Sequence, residues 1–564
     1  MMTSLLLLAC AGNVVGPGPS PDSAAGDSER PVLGEEVYDI GRVLEVDIQL
    51  DPQDWATLRE QKRNLIGELA SDSCMQQPWD SPYTWVLGTV TLDGEVFEDV
   101  AVRKKGLLGS VTADRPSLKL RFDKVDDDQL FHGLTRLTFN NGRQDNSRIK
   151  SCMGYGVYRD LGVGASRCGF AHITVNGEEL GVYSNVEPVK APLLERIYGD
   201  GSGDLYEGTL SDFREGWTGT FDDKEGTGDF AEIQAITEVL ESDPDDLVAA
   251  LDQHLDVEQF IAAWSADALI GHWDSYPGNT NNFYVYVHPQ DGRLRFVPWG
   301  IDAVLTGDSP FGSGVPSAVV AKSALSQALY ADDEGRRLYW EQMDRHLDGW
   351  DGPELEQRVE DARDLVKPYL WDGLDREAFR AEVGYVEDFV ATRETQVTAE
   401  LLSDPDLDLT ERAWPCLGEV GQVDIRFETT WGSYGREPTW STGSGAMSLV
   451  IAGVDYETSF SSAVFGEYEE GHSVGLVVSS VPSGANLAWY GLGPTEAFTQ
   501  TGTEVADWDR ITAYLLYDED GDFQNWATAA YVGGPMEIEQ ASEEIGQPLT
   551  GTIAMQVYGA TEGP

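Results

Sequence analysis

Basic residues are scarce in this chain of 564 residues: 38 lysines and arginines face 98 acidic residues, which gives a formal net charge of −60. Such a surface repels the phosphates of nucleic acids and the headgroups of anionic lipids, so we expect no nucleic-acid partner. The scarcity is greatest in residues 418–564, which contain no lysine and three arginines against 22 acidic residues. Extreme acidity by itself indicates solubility rather than a fold.

Several common site motifs are also missing. The chain has seven histidines, and none stands in an H-E-x-x-H arrangement. None of its five cysteines belongs to a C-x-x-C pair. These absences argue against a zinc metalloprotease and against a zinc ribbon. No stretch reaches the roughly 18 consecutive apolar residues that a membrane-spanning helix needs.

The N-terminus has the features of an export signal. Residues 1–10, MMTSLLLLAC, form a short apolar run, and Leu7 to Cys10 match a bacterial lipobox whose cysteine carries lipid. Residues 11–35, rich in Gly, Pro, Ser and Asp, predict a flexible linker. We therefore expect an exported protein, anchored at the bacterial cell envelope through Cys10 or extracellular, with no other contact with the membrane. The alternative is a buried N-terminal segment.

The remaining four cysteines are even in number, as expected of disulfide-bonded residues in an oxidising compartment. Cys152 and Cys168 flank a predicted helix and the strand after it, and we expect them to be close and able to form a disulfide. Cys74 with Cys416 is then the default second pair.

Residue patterns divide the chain into three parts. Residues 36–190 alternate apolar and polar residues in short runs such as Val43 to Leu50. Turns such as Asp93-Gly94 and Asn176-Gly177 join strand-like runs into hairpins, and the pattern predicts a β-rich lobe with a helix over Trp55 to Leu65. Residues 191–415 have mostly helical spacing, interrupted by a β-hairpin over residues 282–301. Residues 416–564 show short strand-like runs and predict a β-sandwich. The predicted class is α+β: two lobes with a cleft between them, followed by an all-β domain.

The first candidate site is a basic hairpin, residues 103–124, RKKGLLGSVTADRPSLKLRFDK. A glycine turn lets backbone N–H groups approach phosphate oxygens, and the strand lysine Lys119 can neutralise phosphate charge. The preceding Lys104 and Lys105 add to the local charge. The alternative is a basic hairpin that balances nearby carboxylates.

The second candidate site is the segment HWDSYPGNTNNFYVY, residues 272–286, together with VPWGID, residues 297–302. The hairpin between them brings its two ends together, so Asn282 can lie near Asp302 with Asp274 on the adjoining loop. Two oxygen ligands and one free carboxylate suit a magnesium–nucleotide site, in which Asp302 and Asn282 hold the metal and Asp274 orients a hydroxyl. The alternative is that Asp274 is a turn residue and Asp302 a helix cap.

Six blocks in this order resemble the CotH kinase family, and the resemblance covers about residues 37–402. The blocks are VRKKG (102–106), PSLKLRF (116–122), LTFNNGRQDNSRIKS (137–151), VNGEELGVYSNVEPV (175–189), HWDSYPGNTNNFYVY (272–286) and FVPWGIDAVL (296–305). The resemblance implies a divergent protein-kinase-like fold that uses ATP and a divalent metal, Mg²⁺ or Mn²⁺, to phosphorylate serine or threonine of a protein substrate.

The resemblance also assigns residues that contact the nucleotide. Gly106 and Gly109 match the phosphate loop, which Lys105 precedes, and Lys119 matches the strand lysine. Glu187 lies where the chain passes between the lobes, near the adenine site.

For the chemistry, Asp274 matches the catalytic aspartate, and Asp302 matches the metal aspartate of the kinase DFG motif. Asn282 matches the metal asparagine, with Asn279 and Asn281 as alternatives.

The chain departs from the family pattern at two places. Many members read Trp-Asp-x-Asp where this chain has Trp299-Gly300-Ile301-Asp302, and we take the second aspartate as the metal ligand because it lies further past the hairpin. The helix after Asn146 also offers no glutamate to pair with Lys119.

The leading hypothesis is an exported ATP-dependent Ser/Thr kinase. A pseudokinase scaffold that keeps the fold without phosphate transfer is one alternative, and a structural or adhesive surface protein is another. In the last part of the chain, Asp518, Asp520 and Asp522 form either part of a calcium loop or an ordinary acidic turn.

Overall fold

The computed structural model describes residues 33–107, 112–306, 318–403, 412–433, 443–451, 453–460, 462–469, 472–480, 485–518, 527–542 and 544–563. The predicted signal segment with Cys10 lies outside the described residues, as does most of the predicted linker. Gly109, Asp520 and Asp522 lie outside them as well, so the predictions on these residues stay predictions.

Seven strands form a closed barrel in the order β1-β2-β3-β4-β5-β7-β6, in which β1 pairs in parallel with β6. Alternate apolar residues fill its interior, from Leu44 and Val46 on β1 to Leu118 and Leu120 on β4. The tight turns at Asp93-Gly94 and Asn176-Gly177 have positive φ, which these residue types tolerate, and they produce the two predicted hairpins. The strands are β1 (Val43–Gln49), β2 (Val86–Leu92), β3 (Glu95–Lys105), β4 (Ser117–Arg121), β5 (Arg136–Asn140), β6 (Cys168–Val175) and β7 (Glu178–Val186).

Three helices accompany the barrel: α1 (Pro52–Glu60), α2 (Leu65–Leu69) and α3 (Lys150–Asp160). The single helix predicted over Trp55 to Leu65 is wrong. The chain leaves the helix after Glu60 and starts a new one at Leu65, where the Asn64 side chain accepts a hydrogen bond from the Gly67 N–H at 2.9 Å. A capping asparagine favours a helix start over continuation of the previous helix.

The second part of the chain is mostly helical, with a large core that also takes in α3. Short 3₁₀ turns lie at Glu35–Tyr38 before the barrel and at Lys367–Tyr369 in this part. Its helices are α4 (Ala191–Tyr198), α5 (Ala231–Ser242), α6 (Leu247–Leu251), α7 (Val257–Leu269), α8 (Tyr276–Asn279), α9 (Ala324–Ala331), α10 (Asp333–Asp348), α11 (Gly352–Val366) and α12 (Arg376–Ser403).

The predicted hairpin is confirmed and belongs to a larger sheet. Strands β8 (Leu205–Gly208), β9 (Asp222–Glu225), β10 (Phe283–Val287) and β11 (Leu294–Pro298) form a four-stranded sheet in the order β11-β10-β8-β9. Strands β8 and β9 were not expected, because each has only four residues and β9 is DDKE, which carries no apolar alternation.

The last part contains ten strands and one short helix. The strands are β12 (Leu417–Ser433), β13 (Ser444–Ile451), β14 (Val454–Phe460), β15 (Ser462–Glu469), β16 (His472–Ser480), β17 (Asn486–Pro494), β18 (Gly502–Ala506), β19 (Thr512–Asp518), β20 (Ala527–Gln540) and β21 (Pro548–Ala560), with helix α13 (Glu496–Thr499). Hydrogen bonds connect all ten strands into one sheet, since β21 pairs with both β12 and β20. The expected all-β part is therefore present, but as one continuous sheet rather than two separate ones.

Two disulfides are present, and both match the predicted pairs. Cys152 and Cys168 are joined with their Cα atoms 4.9 Å apart, and Cys74 and Cys416 with theirs 5.9 Å apart. The second disulfide lies in a small apolar cluster with Met75, Leu210 and Trp217, where the helical part meets the start of the C-terminal sheet. Among the described residues, no helix combines the length and the apolar character that crossing a membrane requires.

Candidate active site

Asp274 lies in the loop between α7 and α8, and three asparagine amides surround its carboxylate. Asn282 Nδ2 donates to Asp274 Oδ2 at 2.6 Å, Asn281 Nδ2 donates to Oδ1 at 3.2 Å, and Asn279 also donates to Oδ1. Burial raises the pKa of Asp274, and the amide donors oppose this shift without cancelling it. The carboxylate is thus held in one orientation while its affinity for a proton is increased.

Asn282 connects the Asp274 loop to the segment after β11. Its Nδ2 also donates to the Asp274 carbonyl at 3.1 Å, and its carbonyl accepts the Trp299 N–H at 3.1 Å. Both amide hydrogens of the side chain therefore face Asp274, and Oδ1 is directed toward Gly300. A Cβ atom at Gly300 would lie 2.1 Å from that oxygen, and Gly300 has φ +61°.

This geometry explains the departure at Gly300. The left-handed conformation and the close Asn282 oxygen both favour glycine at this position. The glycine therefore permits the approach of Asn282 to the Trp299–Asp302 turn.

Asp302 follows this turn and lies half-buried beside other charged groups. Burial raises its pKa to about 6, the Lys105 ammonium opposes the shift, and the carboxylates of Asp274 and Asp145 add to it. Lys105 and Asp274 are therefore both close enough to Asp302 to influence the ionisation of its carboxyl.

The residues around Asp302 fit a divalent metal. Among the described residues, no three His, Cys, Asp or Glu side chains converge on a point that could hold a metal ion. However, Mg²⁺ is typically bound through one or two carboxylates, with water and substrate phosphates completing its shell. The Asp302 carboxylate and Asn282 Oδ1 are oxygen donors of this kind, and a buried carboxylate with a raised pKa is a group that a bound cation would stabilise.

Lys105 and Lys104, adjacent on β3, point in opposite directions. Lys105 Nζ donates to Asn140 Oδ1 and lies 5.4 Å from the centre of the Trp299 ring. Lys104 is buried and donates to the Arg59 carbonyl. Successive side chains of a strand face opposite sides of the sheet, so only Lys105 belongs to the site and the proposed contribution of Lys104 is wrong.

The phosphate-loop prediction is only partly covered by the described residues. Gly106 has φ +133°, and its carbonyl accepts a hydrogen bond from the Tyr83 hydroxyl at 2.7 Å. Gly106 thus ends β3 directly after Lys105. Residues 108–111, with Gly109, lie outside the described chain.

Lys119 lies on β4 and faces a cavity of about 190 Å³ between the barrel and the four-stranded sheet. Burial lowers the pKa of Lys119 to about 7, and Glu207 is the group that most opposes this shift. The lining is strongly basic for so acidic a protein, and it includes Arg103, Lys119, Arg121, Arg136, Lys190 and Lys224. A cavity with this lining suits an anionic ligand.

Glu187 does not contribute its carboxylate to this cavity. The side chain is almost completely buried, with salt bridges of 2.6 Å to both Arg167 and Arg196. Pro188, Val189 and Lys190, the next three residues, line the cavity. The predicted contact of the Glu187 side chain with the nucleotide therefore needs correction, because its buried carboxylate is taken up by two arginines.

Reasoning from sequence missed four residues of this region. Arg103 and Asp145 lay within quoted blocks but received no role, and Asp145 accepts hydrogen bonds from the N–H groups of Ser147 and Lys150 at the start of α3. Glu207 and Lys224 lie on the two short strands that the residue pattern did not reveal. Only the paired sheet shows that they face Lys119.

A further cation approaches from the segment before the C-terminal sheet. The Arg412 carbonyl accepts a hydrogen bond from Arg214 at 3.1 Å, and the Arg412 N–H donates to the Lys322 carbonyl at 3.4 Å. Burial lowers the pKa of Arg412, and the Asp274 and Asp212 carboxylates oppose the shift. Arg412 is thus close enough to Asp274 for their charges to interact. In the sequence it precedes the disulfide-bonded Cys416 by four residues.

A carboxylate held by amides, a second carboxylate that follows the Gly300 turn, and a cation-lined cavity together suit phosphoryl transfer. The comparison with protein families agrees: a family model described as "CotH kinase protein" matches residues 102–397, more than half of the chain. The chain belongs to this family, as the resemblance of its six sequence blocks predicted.

Two individual proteins are similar to parts of this chain. The chain is 24% identical over 191 residues to "Inner spore coat protein H" of Bacillus subtilis (strain 168), which covers 31% of this chain and 51% of that protein. The chain thus spans about half the length of that curated relative. It is also similar to a "Helicobacter pylori proinflammatory kinase CtkA" at 9% identity, over 57% of this chain and 95% of that one. That match has a TM-score of 0.27, too low to support any inference.

Proposed function

We propose that this protein is an atypical protein kinase that transfers the γ-phosphate of ATP to a serine or threonine hydroxyl of a protein substrate, with Mg²⁺ or Mn²⁺. In this proposal the barrel is the N-terminal lobe, the helical part is the C-terminal lobe, and the cavity between them takes the nucleotide. The main support is that Asp274, Asn282, Asp302 and Lys105 converge beside a cavity lined with cations.

The charge distribution supports a nucleotide as the ligand. A chain of net charge −60 needs a local reversal of sign to bind triphosphate. Lys119, Arg103 and Lys224 supply it inside the cavity, and Lys105 supplies it beside Asp302. The aromatic residues Trp85, Tyr284 and Trp299 give the same cavity apolar surface.

Each site residue has a role in the proposed reaction. Asp302 and Asn282 Oδ1 would hold the metal, which neutralises phosphate charge when bound. The acceptor hydroxyl oxygen bonds to the γ-phosphorus while the bond to the β–γ bridging oxygen breaks, and ADP leaves with that electron pair. Asp274 orients the hydroxyl and accepts its proton, a task that the raised pKa of its carboxyl favours.

The cellular setting is part of the proposal. The lipobox-like Leu7 to Cys10 and the linker after it support export and a lipid anchor. The two disulfides are what an oxidising compartment permits. We therefore propose a surface or envelope protein as the substrate.

A pseudokinase scaffold is the second candidate. Its support is the Asp274 carboxylate, which already accepts hydrogen bonds from three asparagines and so has an evident structural role. A scaffold would bind nucleotide in the cavity without transferring phosphate.

One experiment separates the two candidates. Purified protein is incubated with γ-labelled ATP and MnCl₂ or MgCl₂, alone and with envelope proteins, while nucleotide binding is measured by calorimetry on the same preparation. A kinase labels itself or a substrate, and the Asp302→Ala protein does not. Binding without labelling supports the scaffold, and the absence of both rejects a nucleotide site.

A further inference from the structure

Glu207 is the single carboxylate among the described residues that line the cation-rich cavity. It lies on β8, paired with Tyr284 of β10 and Asp222 of β9. Its carboxylate is 2.8 Å from Lys224 Nζ and also accepts a hydrogen bond from the Tyr284 hydroxyl. Burial alone would raise the pKa of Glu207, but Lys224 and Lys119 outweigh burial and lower it. Glu207 is thus an ionised group held in place from two sides.

Lys119 approaches the same cavity from the barrel. It stands opposite Arg103 on β3 and Thr138 on β5, in the middle of the barrel wall. Burial lowers its pKa to about 7, Glu207 raises it, and Lys105, Arg103 and Lys224 lower it further. Without Glu207, a buried ammonium among three other cations would lose its proton more easily.

The helix that follows the barrel's first five strands offers no alternative partner. Helix α3 contains no glutamate, and its one acidic residue, Asp160, forms a salt bridge with Arg358. The nearby Lys150 is paired with Glu382. In nucleotide-dependent kinases a glutamate on the corresponding helix forms an ion pair with the strand lysine. That partner must therefore come from another element in this chain.

We propose that Glu207, on the second sheet, is the positioning residue of Lys119: its carboxylate holds the lysine charged and directed into the cavity, where a helix glutamate is absent. The inference rests on the proposed function, because Lys119 needs positioning only if it contacts phosphate. It deepens that function by assigning the lysine's partner to β8, a strand that residue patterns do not reveal.

The test measures ATP affinity as a function of pH. Purified full-length protein is titrated with ATP and MnCl₂ by calorimetry between pH 6 and pH 9, with and without Glu207→Gln. We expect the substitution to weaken binding about tenfold at pH 8 and much less at pH 6. At a pH above the pKa of Lys119, each unit by which that pKa falls reduces the charged fraction of the lysine about tenfold. A purely structural change would weaken binding at all pH values alike.

Other groups near Lys119 also influence this profile. The charged and titratable ones that line the cavity, besides Glu207 and Lys119, are Arg103, Arg121, Arg136, Lys190, Lys224 and Tyr284, and Lys105 acts on Lys119 from outside the lining. A double-mutant cycle isolates the Glu207 contribution: in a Lys119→Met background, Glu207→Gln should change ATP affinity little. Glu178→Gln is the matched control, since Glu178 also pairs with a cation, Arg59 at 2.8 Å, and neither residue lines the cavity. It should leave the pH profile in place.

The outcomes are distinct. If the unmodified protein binds no ATP at any pH, the proposed function fails. If it binds ATP and Glu207→Gln keeps the same affinity and pH profile, the role of Glu207 is rejected and the function stands. Should Glu207→Gln not fold, Glu207→Asp decides, because it keeps the charge but shortens its reach. A loss of affinity relative to the unmodified protein that is larger at pH 8 than at pH 6 supports the role, and an unchanged affinity and pH profile rejects it.

Discussion

Asn282 Nδ2 donates a hydrogen bond of 2.6 Å to Asp274 Oδ2, so the side chain that leads into strand β10 holds the carboxylate on the loop before it. The amide hydrogens of Asn282 thereby face the aspartate, and its oxygen remains directed toward the Gly300 turn. One side chain thus connects the proposed proton acceptor with the proposed metal position. The predictions below use this connection.

Asp274→Ala and Asp302→Ala should affect different steps. We expect Asp274→Ala to reduce phosphate transfer by roughly 10²–10⁴-fold, the usual contribution of a general base, while nucleotide binding is largely kept. Asp302→Ala should weaken metal-dependent nucleotide binding as well as transfer. Transfer is measured with labelled ATP and binding by calorimetry with and without MnCl₂.

Asp291→Ala is the matched control for both changes. Asp291 also carries a carboxylate, but it lies at the hairpin turn and pairs with Arg295 at 2.7 Å. It should transfer phosphate at the original rate. Full transfer by both Asp274→Ala and Asp302→Ala would reject the kinase assignment.

Gly300→Ala should lower both stability and metal-dependent binding. The backbone at position 300 is in the left-handed region, with φ +61°, which alanine rarely adopts. An added Cβ atom would also lie 2.1 Å from Asn282 Oδ1. The backbone strain costs about 1–2 kcal/mol, and displacement of Asn282 should remove a metal ligand. Gly292→Ala is the control, since Gly292 has φ +69° with no atom within 4 Å of the added Cβ.

Both glycine variants should therefore lose stability in urea unfolding through backbone strain, Gly300→Ala the more because of its clash with Asn282, and only Gly300→Ala should lose affinity for ATP with MnCl₂. Equal affinity in the two variants would show that the contact between Gly300 and Asn282 does not matter for the metal.

Glu187→Gln should make the protein less stable at neutral pH but not at acid pH. Burial would raise the pKa of Glu187, yet the hydrogen bonds and charges of Arg167 and Arg196 outweigh it and lower the pKa below its usual value. Because the pKa of Glu187 in the folded state is below its unfolded value of about 4.3, the ionised carboxylate stabilises the folded protein at any pH above that value. This stabilisation is lost as the pH falls through the folded-state pKa.

Breaking such a buried ion pair typically costs about 3–5 kcal/mol. The difference between the unmodified protein and Glu187→Gln, measured by urea unfolding, should thus be large at pH 7 and shrink below pH ~4. A difference that does not change with pH would show that the ion pairs contribute nothing to it.

Loss of the Cys74–Cys416 disulfide should release the C-terminal sheet from the rest of the chain. It closes a loop over a sequence separation of 342 residues, against 16 for Cys152–Cys168. The chain-entropy model gives about 6 kcal/mol for the long loop and about 3 kcal/mol for the short one.

The Cys74→Ser/Cys416→Ser protein should be cleaved faster by trypsin between the helical part and the sheet, where Arg412 lies. Cys152→Ser/Cys168→Ser is the control and should leave that rate unchanged. Equal cleavage in all three proteins would mean that the apolar cluster around Trp217 is sufficient to hold the junction.

Much of the framework follows from local sequence patterns. The Asp93-Gly94 and Asn176-Gly177 hairpins and the strand at Val43–Gln49 occur where they were predicted, because turn residues and apolar alternation act over a few neighbouring residues. The pairing of Cys152 with Cys168 followed from their positions around one helix and strand. The family followed from the order of six blocks, which the family comparison confirmed.

The sequence alone thus determined the family, and it predicted a three-part organisation and a set of candidate site residues. The tertiary structure decided which side chains come together: Lys105 influences Asp302 while Lys104 faces away, Glu187 pairs with two arginines, and Glu207 lines the same cavity as Lys119. The physical reason is that each of these relations depends on contacts between residues far apart in the chain. Barrel closure and sheet pairing set such contacts, and a residue's own neighbours carry no record of them.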